Sequence, residues 1–175
     1  LRIAASVVQG LAYGADLPVA MVSTLAVLAQ GAYDQFQARK ILPSLDARMK
    51  QVYWGAYQIN EQGLAEPVII DAVSDPDKVL VPEGDWVGVG SGWKYYKNML
   101  LPSSRGLTAG SSTCSNISLD PAVKPRDDNV CDFLSRIKQT HPDYYPQAKY
   151  ILPLAQDKFA RGDLVTAADV VPIYL

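Results

Sequence analysis

One histidine, His141, and two cysteines, Cys114 and Cys131, stand in the 175 residues. A His-His metal motif needs a second histidine that the chain lacks. Two cysteines are too few for a disulfide framework or a cysteine-built zinc site. A Ser-His-Asp triad would have to run through His141, in the run Thr140-His141-Pro142-Asp143, whose turn chemistry reads as a solvated loop histidine. Charge is sparse as well: 19% of the residues are charged, against roughly 25% in ordinary soluble domains, which points to surface covered by a partner. Sixteen Lys and Arg against eighteen Asp and Glu leave a net charge of −2, without the basic excess by which a protein grips a phosphate backbone alone. The apolar stretch 3–15 contains Gln9 and falls short of the ~20 residues that span a bilayer. Neither a Walker A loop nor a GxGxxG fingerprint is present.

What is present is apolar. Hydrophobic residues make up 49% of the chain, enough for a core and against general disorder. The length fits one ordinary domain or two small lobes. The sequence opens at Leu1 without a signal-peptide pattern and closes on the apolar run 170–175, so it reads as an internal piece of a longer cytoplasmic protein. Residues 1–13 pattern as a helix carrying Leu1, Ile3, Val7, Val8 and Leu11 among Ala4, Ala5, Ser6, Gly10 and Ala12. Gly14 is placed to cap it. After Arg2 no charge occurs until Asp16, so this helix needs cover on more than one side. The pattern leaves open whether both covers are internal or one is another molecule.

Residues 17–22 read as a short strand, and Ser23 or Thr24 caps a helix running to Phe36. Strands follow at 40–45 and 51–59, antiparallel across the tight connection 46–50, then at 67–72 and 86–89. Asp75-Pro76 opens a short helix. Six serines between Ser103 and Ser118, with Gly106, Gly110, Pro121 and Pro125, give the stretch 101–140 loop composition; 131–137 has the pattern of one or two helical turns. From Tyr144 a helix runs to Gly162, with a kink or break expected at Pro153. The order of elements implies an α/β protein.

Two segments are candidates for chemistry. The hairpin Asp46-Ala47-Arg48 and the loop holding Gly88, Gly90 and Gly92 are a possible phosphate site, because glycines after a strand let backbone N–H groups approach an anion. The plainer readings are a tight strand exit for the glycines and a structural ion pair for Asp46 with Arg48. A nucleophile, a base and stabilising donors converging on one pocket do not assemble from these residues.

Several runs carry a resemblance. Arg2-Ile3, Gln9-Gly10-Leu11-Ala12, Gly14, Pro18 and Val22-Ser23-Thr24-Leu25 come first, then Asp46-Ala47-Arg48-Met49 with Val52-Tyr53-Trp54. Val87 to Trp93, Leu152-Pro153-Leu154-Ala155 and Pro172-Ile173-Tyr174-Leu175 complete the order. Together they resemble the bacterial TsaB family, also called YeaZ, over most of 1–100 and 144–175; 101–140 matches nothing in it. The resemblance implies an actin-like, sugar-kinase and Hsp70 superfamily (ribonuclease H-like) fold in two lobes, with 1–38 the remainder of an incomplete first lobe and 39–175 the second. It implies a non-catalytic scaffold for N6-threonylcarbamoyladenosine synthesis at position 37 of tRNAs reading A-starting codons. The implied partners are a TsaD-type catalytic subunit, a TsaE-type ATPase and, in isolation, a second copy. It implies tRNA contact only through the complex, no membrane, no metal, and no cofactor beyond ATP or ADP at the partner interface. The interface residues it implies are Arg2, Ile3, Ser6, Val7 and Gly10, with Asp46, Arg48, Gly88, Gly90 and Gly92 a vestigial nucleotide or phosphate site. The rivals are an ATP-binding phosphotransferase or ATPase of the same superfold, and a glycoprotease.

Overall fold

A computed structural model describes residues 2–94 and 136–172. Two helices come first, α1 (Arg2–Ala15) and α2 (Thr24–Phe36). Helix α1 passes through Gly14 to Ala15, and Asp16 just after it takes the left-handed conformation expected of Gly14 (φ 53°) while Leu17 N–H closes onto Ala12 C=O. Asp is among the few non-glycine residues that tolerate this region. The strand expected at 17–22 is one bridge, Val19 to Val165, because no second residue lies opposite to extend it. Ser23 caps α2 as expected, its hydroxyl accepting the Leu25 N–H at 3.1 Å and filling an orphan donor of the first turn.

Among the described residues, five strands form one sheet in the order β3-β2-β1-β4-β5. Strands β1 (Lys40–Arg48), β2 (Gln51–Ile59) and β3 (Ala65–Ser74) make an antiparallel meander. Strands β4 (Trp86–Val89) and β5 (Ile137–His141) continue the sheet parallel to β1. Alternation along β1 and β2 sends side chains to two cores. Ile41, Tyr57 and Ile59 join Leu25, Leu28 and Val89 beneath α2, with Tyr150 and Leu154 from the last helix and the turn before it. Leu42, Val52, Trp54 and Ala56 face the opposite way, against Val79, Trp86 and Trp93. A sheet covered on both faces explains why residues 41–44 of β1 and most of β2 are buried without alternation.

Two further expectations change. Residues 137–140, read as loop, belong to β5, a polar edge strand (Ile-Lys-Gln-Thr-His) whose side chains give no apolar alternation to signal it. The helical turns expected at 131–137 lie mostly outside the described residues. Helix α3 (Ile151–Arg161) follows a 3-10 turn, Ala148–Tyr150, so Pro153 falls in its first turn. There the missing N–H has no intrahelical partner to lose, and no break is needed. The 38/39 boundary lies in the turn between α2 and β1, and α2 packs across it onto the sheet.

Candidate functional site

The two expected surfaces are separate in kind. Along α1, Ala5, Gln9 and Ala12 share the stripe that faces the protein, Ala12 being buried. Ile3, Val7, Gly10 and Gly14 occupy the opposite stripe at i, i+4, i+7 spacing, with Ser6 beside them. Ile3 is 83% exposed and Val7 55%, and nothing stands within 4 Å of where a Cβ on Gly10 would lie. Arg2, also exposed, begins the same helix. Of the expected interface residues, Ile3, Val7 and Gly10 thus share one apolar, small-residue helix face with Ser6 at its flank, while Arg2 lies to the side of it. Leu11 and Val8, exposed at 70% and 44%, widen it.

The second surface is the hairpin between β1 and β2. The sequence predicts that it meets the glycine loop, and it does: the Asp46 N–H donates to Ser91 Oγ at 3.2 Å, and the Gly92 N–H to Ser44 C=O at 3.0 Å. The ion pair expected to pin the hairpin is replaced by another contact. The Asp46 carboxylate accepts the backbone N–H of Arg48 at 2.7 Å. This holds a tip in which Arg48, Met49 and Lys50 are all left-handed, at φ 66°, 48° and 66°, a conformation that is costly for side chains bearing a Cβ.

The glycines meet protein rather than an open cradle. A Cβ on Gly88 would sit 2.4 Å from the Trp93 ring, and one on Gly92 would meet the Ser44 side chain. Gly90, at φ +100°, would place its Cβ 2.4 Å from the Ser44 carbonyl oxygen. Trp93, whose indole N–H donates to Leu42 C=O at 2.9 Å, and Ser44 thus pack against the loop, and its Gly90 and Gly92 N–H groups donate to the carbonyls of His141 and Ser44.

Three polar groupings went unread in the sequence. Asp71, on β3, accepts the hydroxyls of Ser23 and Tyr57, the latter at 2.5 Å. Burial and this carboxylate neighbour hold the Tyr57 phenol protonated far above the usual tyrosine range. The one signal for it was an acidic residue in the middle of an apolar strand. His141, expected in a solvated loop, instead closes β5. Its ring stacks on Phe36 at 3.8 Å, with Nε2 buried and unpaired. Tyr144, edge-on to Phe36, also buries an unpaired hydroxyl, and burial pushes its phenol well up. Among the described residues, no three His, Cys, Asp or Glu side chains converge as metal ligands. No described helix is long and apolar enough to cross a membrane.

Residues 1–155 match the family model for TsaD, tRNA N6-adenosine threonylcarbamoyltransferase. The chain is 33% identical to the tRNA threonylcarbamoyladenosine biosynthesis protein TsaB of Escherichia coli, over all of its own length and 64% of that protein's. It is 28% identical to TsaB of Haemophilus influenzae with the same coverage. It therefore spans slightly under two thirds of the length of these curated relatives. Two solved structures share its fold. YeaZ from Pseudomonas aeruginosa superposes with a TM-score of 0.72 at 32% identity, over 99% of this chain and 67% of that one. A Pseudomonas aeruginosa protein described as similar to peptidase YEAZ superposes with a TM-score of 0.75 at 34% identity, over 99% and 66%.

Proposed function

The chain belongs to the TsaB (YeaZ) family, within the wider family that includes TsaD, and carries its actin-like fold; from that premise we propose that it is a non-catalytic scaffold in N6-threonylcarbamoyladenosine synthesis. It acts by docking a homologous TsaD-type subunit that performs the transfer to tRNA. A TsaE-type ATPase joins the complex, ATP or ADP enters only at the partner contact, and tRNA is met only through the assembly, in the cytoplasm. In isolation the same face pairs two copies.

The observation that carries this reading is the outer face of α1. Ile3 and Val7 stand in solvent on a helix without charge between Arg2 and Asp16, and Gly10 leaves room for a second helix to approach closely. Burying ~800 Å² on each partner makes a standard interface, and such a face can supply its dry centre. The N–H groups of Gly90 and Gly92, the donors a phosphate would draw on, are given to the His141 and Ser44 carbonyls. A phosphotransferase would need such donors free, which favours the scaffold over the rival ATPase.

Light scattering coupled to size exclusion, on the protein alone and mixed with a TsaD-type subunit, tests the proposal. A homodimer exchanging into a one-to-one heterodimer is expected. Val7→Arg places an unpaired charge in a dry contact and is expected to abolish both associations with the far-ultraviolet circular dichroism spectrum of the folded chain unchanged. Association that survives Val7→Arg removes α1 from the interface, and a protein that ignores the partner removes the scaffold reading.

A further inference from the structure

Polar side chains bind helix α2 to its surroundings at its start, middle and end. Ser23, its cap, donates to Asp71 of β3, which also accepts the Tyr57 hydroxyl of β2 at 2.5 Å. Gln30, buried near the middle, spends both ends of its amide on the β2–β3 connection. Its Nε2 donates to Gly63 C=O at 2.8 Å, and its Oε1 accepts the Ala65 N–H at 2.9 Å. One turn later the Asp34 carboxylate accepts the Tyr150 hydroxyl at 2.8 Å, from the 3-10 turn ahead of α3. Gly31 makes room for that approach: a Cβ there would run into the Tyr144 hydroxyl and lie 2.7 Å from the Tyr150 ring.

The apolar part of this contact does not fix where the helix sits along the sheet. Ala29 and Ala32 lie in its centre with no exposed surface; they are small, and apolar burial is non-directional. The polar contacts are directional. A slide of α2 by one turn, about 5.4 Å, would unpair Asp71, Gln30 and Asp34 together. It would also bring Val27 or Gln35 to the place where Gly31 admits the two tyrosines. Sliding of packed helices is one of the standard ways in which lobes move against each other. Buried polar groups left without partners oppose it, and a fully satisfied network specifies one arrangement.

We propose that these three contacts pin α2 to the sheet as a single body, a fixed strut that does not slide. Any motion between the two lobes is then taken up ahead of Ser23, within residues 16–22, and not at the 38/39 boundary implied by the family resemblance. The docking helix α1 and the pair formed by the hairpin and the glycine loop fall on opposite sides of that boundary. The pinning stands on contacts that are present and is independent of the docking role of α1.

Two measurements on the full chain test it. In amide hydrogen exchange at low urea, α2 is expected to open together with β1 and β2, with the same urea dependence. Tyr150→Phe removes the donor to Asp34 and is expected to speed exchange in α2 and β2 by a common factor, on the order of tenfold. Exchange that rises in α2 alone, or an α2 that opens at lower urea dependence than the strands, overturns the single body. The second measurement reads position directly and needs no pin removed. Spin labels at Gln35→Cys on α2 and Ile70→Cys on β3, in a Cys114→Ser, Cys131→Ser background, are expected to give one narrow distance distribution by pulsed electron resonance. Two populations separated by about one helical turn, roughly 5 Å, overturn the strut. Loss of partner binding in Val7→Arg with both results intact reads the docking face alone, so the two ideas fail separately.

Discussion

Gly90→Ala puts the packing of the glycine loop to a quantitative test. The new methyl would lie 2.4 Å from the Ser44 carbonyl oxygen and 3.3 Å from Leu28 Cδ1, on a backbone at φ +100°. The Ser44 oxygen cannot swing aside, because it accepts the Gly92 N–H at 3.0 Å. Relief therefore requires β1 and β4 to separate or Gly90 to abandon its bond to His141 C=O. A side chain forced into the positive-φ region costs about 1–2 kcal/mol, and overpacking a close contact about 1–3 kcal/mol more. The sum, about 2–5 kcal/mol, is a large share of the ~5–15 kcal/mol by which domains are stable. With a urea m-value of about 2 kcal/mol/M the unfolding midpoint falls by roughly 1–2.5 M. Gly10→Ala is the contrast. It sits inside a helix with open space around it, where Ala is favoured over Gly by about 1 kcal/mol, so its midpoint rises by roughly 0.5 M. Urea titrations followed by far-ultraviolet circular dichroism read both. A Gly90→Ala midpoint within about 0.5 M of wild type at unchanged m, a shift of about 1 kcal/mol, would refute the argument that this loop is filled by its own protein.

Tyr57 and Tyr144 are held protonated above the ordinary tyrosine range. In the unfolded chain their phenols ionise near pH 10, so unfolding releases protons above that pH and stability falls as pH rises, by up to about 1.4 kcal/mol per pH unit per group. Tyr57→Phe is expected to remove its share of this alkaline slope between about pH 10 and 12, measured by urea titration at successive pH values; an unaltered slope contradicts it. Leu28, with no exposed surface, is expected to cost about 2–5 kcal/mol when cut to Ala, read in the same titrations. Ser23→Ala loses the α2 cap, about 1 kcal/mol, and with it a donor to Asp71. Its cost should shrink when Asp71→Asn is combined with it, a coupling that a double-mutant cycle measures.

Elements whose side chains match one environment were legible in the sequence. Strand β2, rich in Val, Tyr and Trp, and β4, opening on Trp86, appear with the ends expected of them, and the Ser23 hydroxyl marks the start of α2. The departures have local physical causes. Strand β5 went unread because its residues are polar and give no apolar alternation. Residues 17–22 are apolar without being a strand, since strand pairing depends on a partner elsewhere in the chain. Pro153 suggested a break because its position in the helix, not its presence, decides its effect. At the candidate sites the grouping was legible and the bonding was not. The hairpin meets the glycine loop, but the Asp46 carboxylate turns inward to an N–H instead of across to a guanidinium. No composition signals three successive left-handed residues at 48–50, none of them glycine.

All three tryptophans, Trp54, Trp86 and Trp93, lie almost fully buried in the core on the sheet face away from α2. Their shared address makes intrinsic fluorescence a report on that one layer. Release of α1, exchange of one docked partner for another, or fraying around Val19 would pass with hardly a change in emission. A fluorescence melt of this protein thus times the collapse of the Trp layer, and events at the helix that meets other molecules need a label or an amide probe placed there.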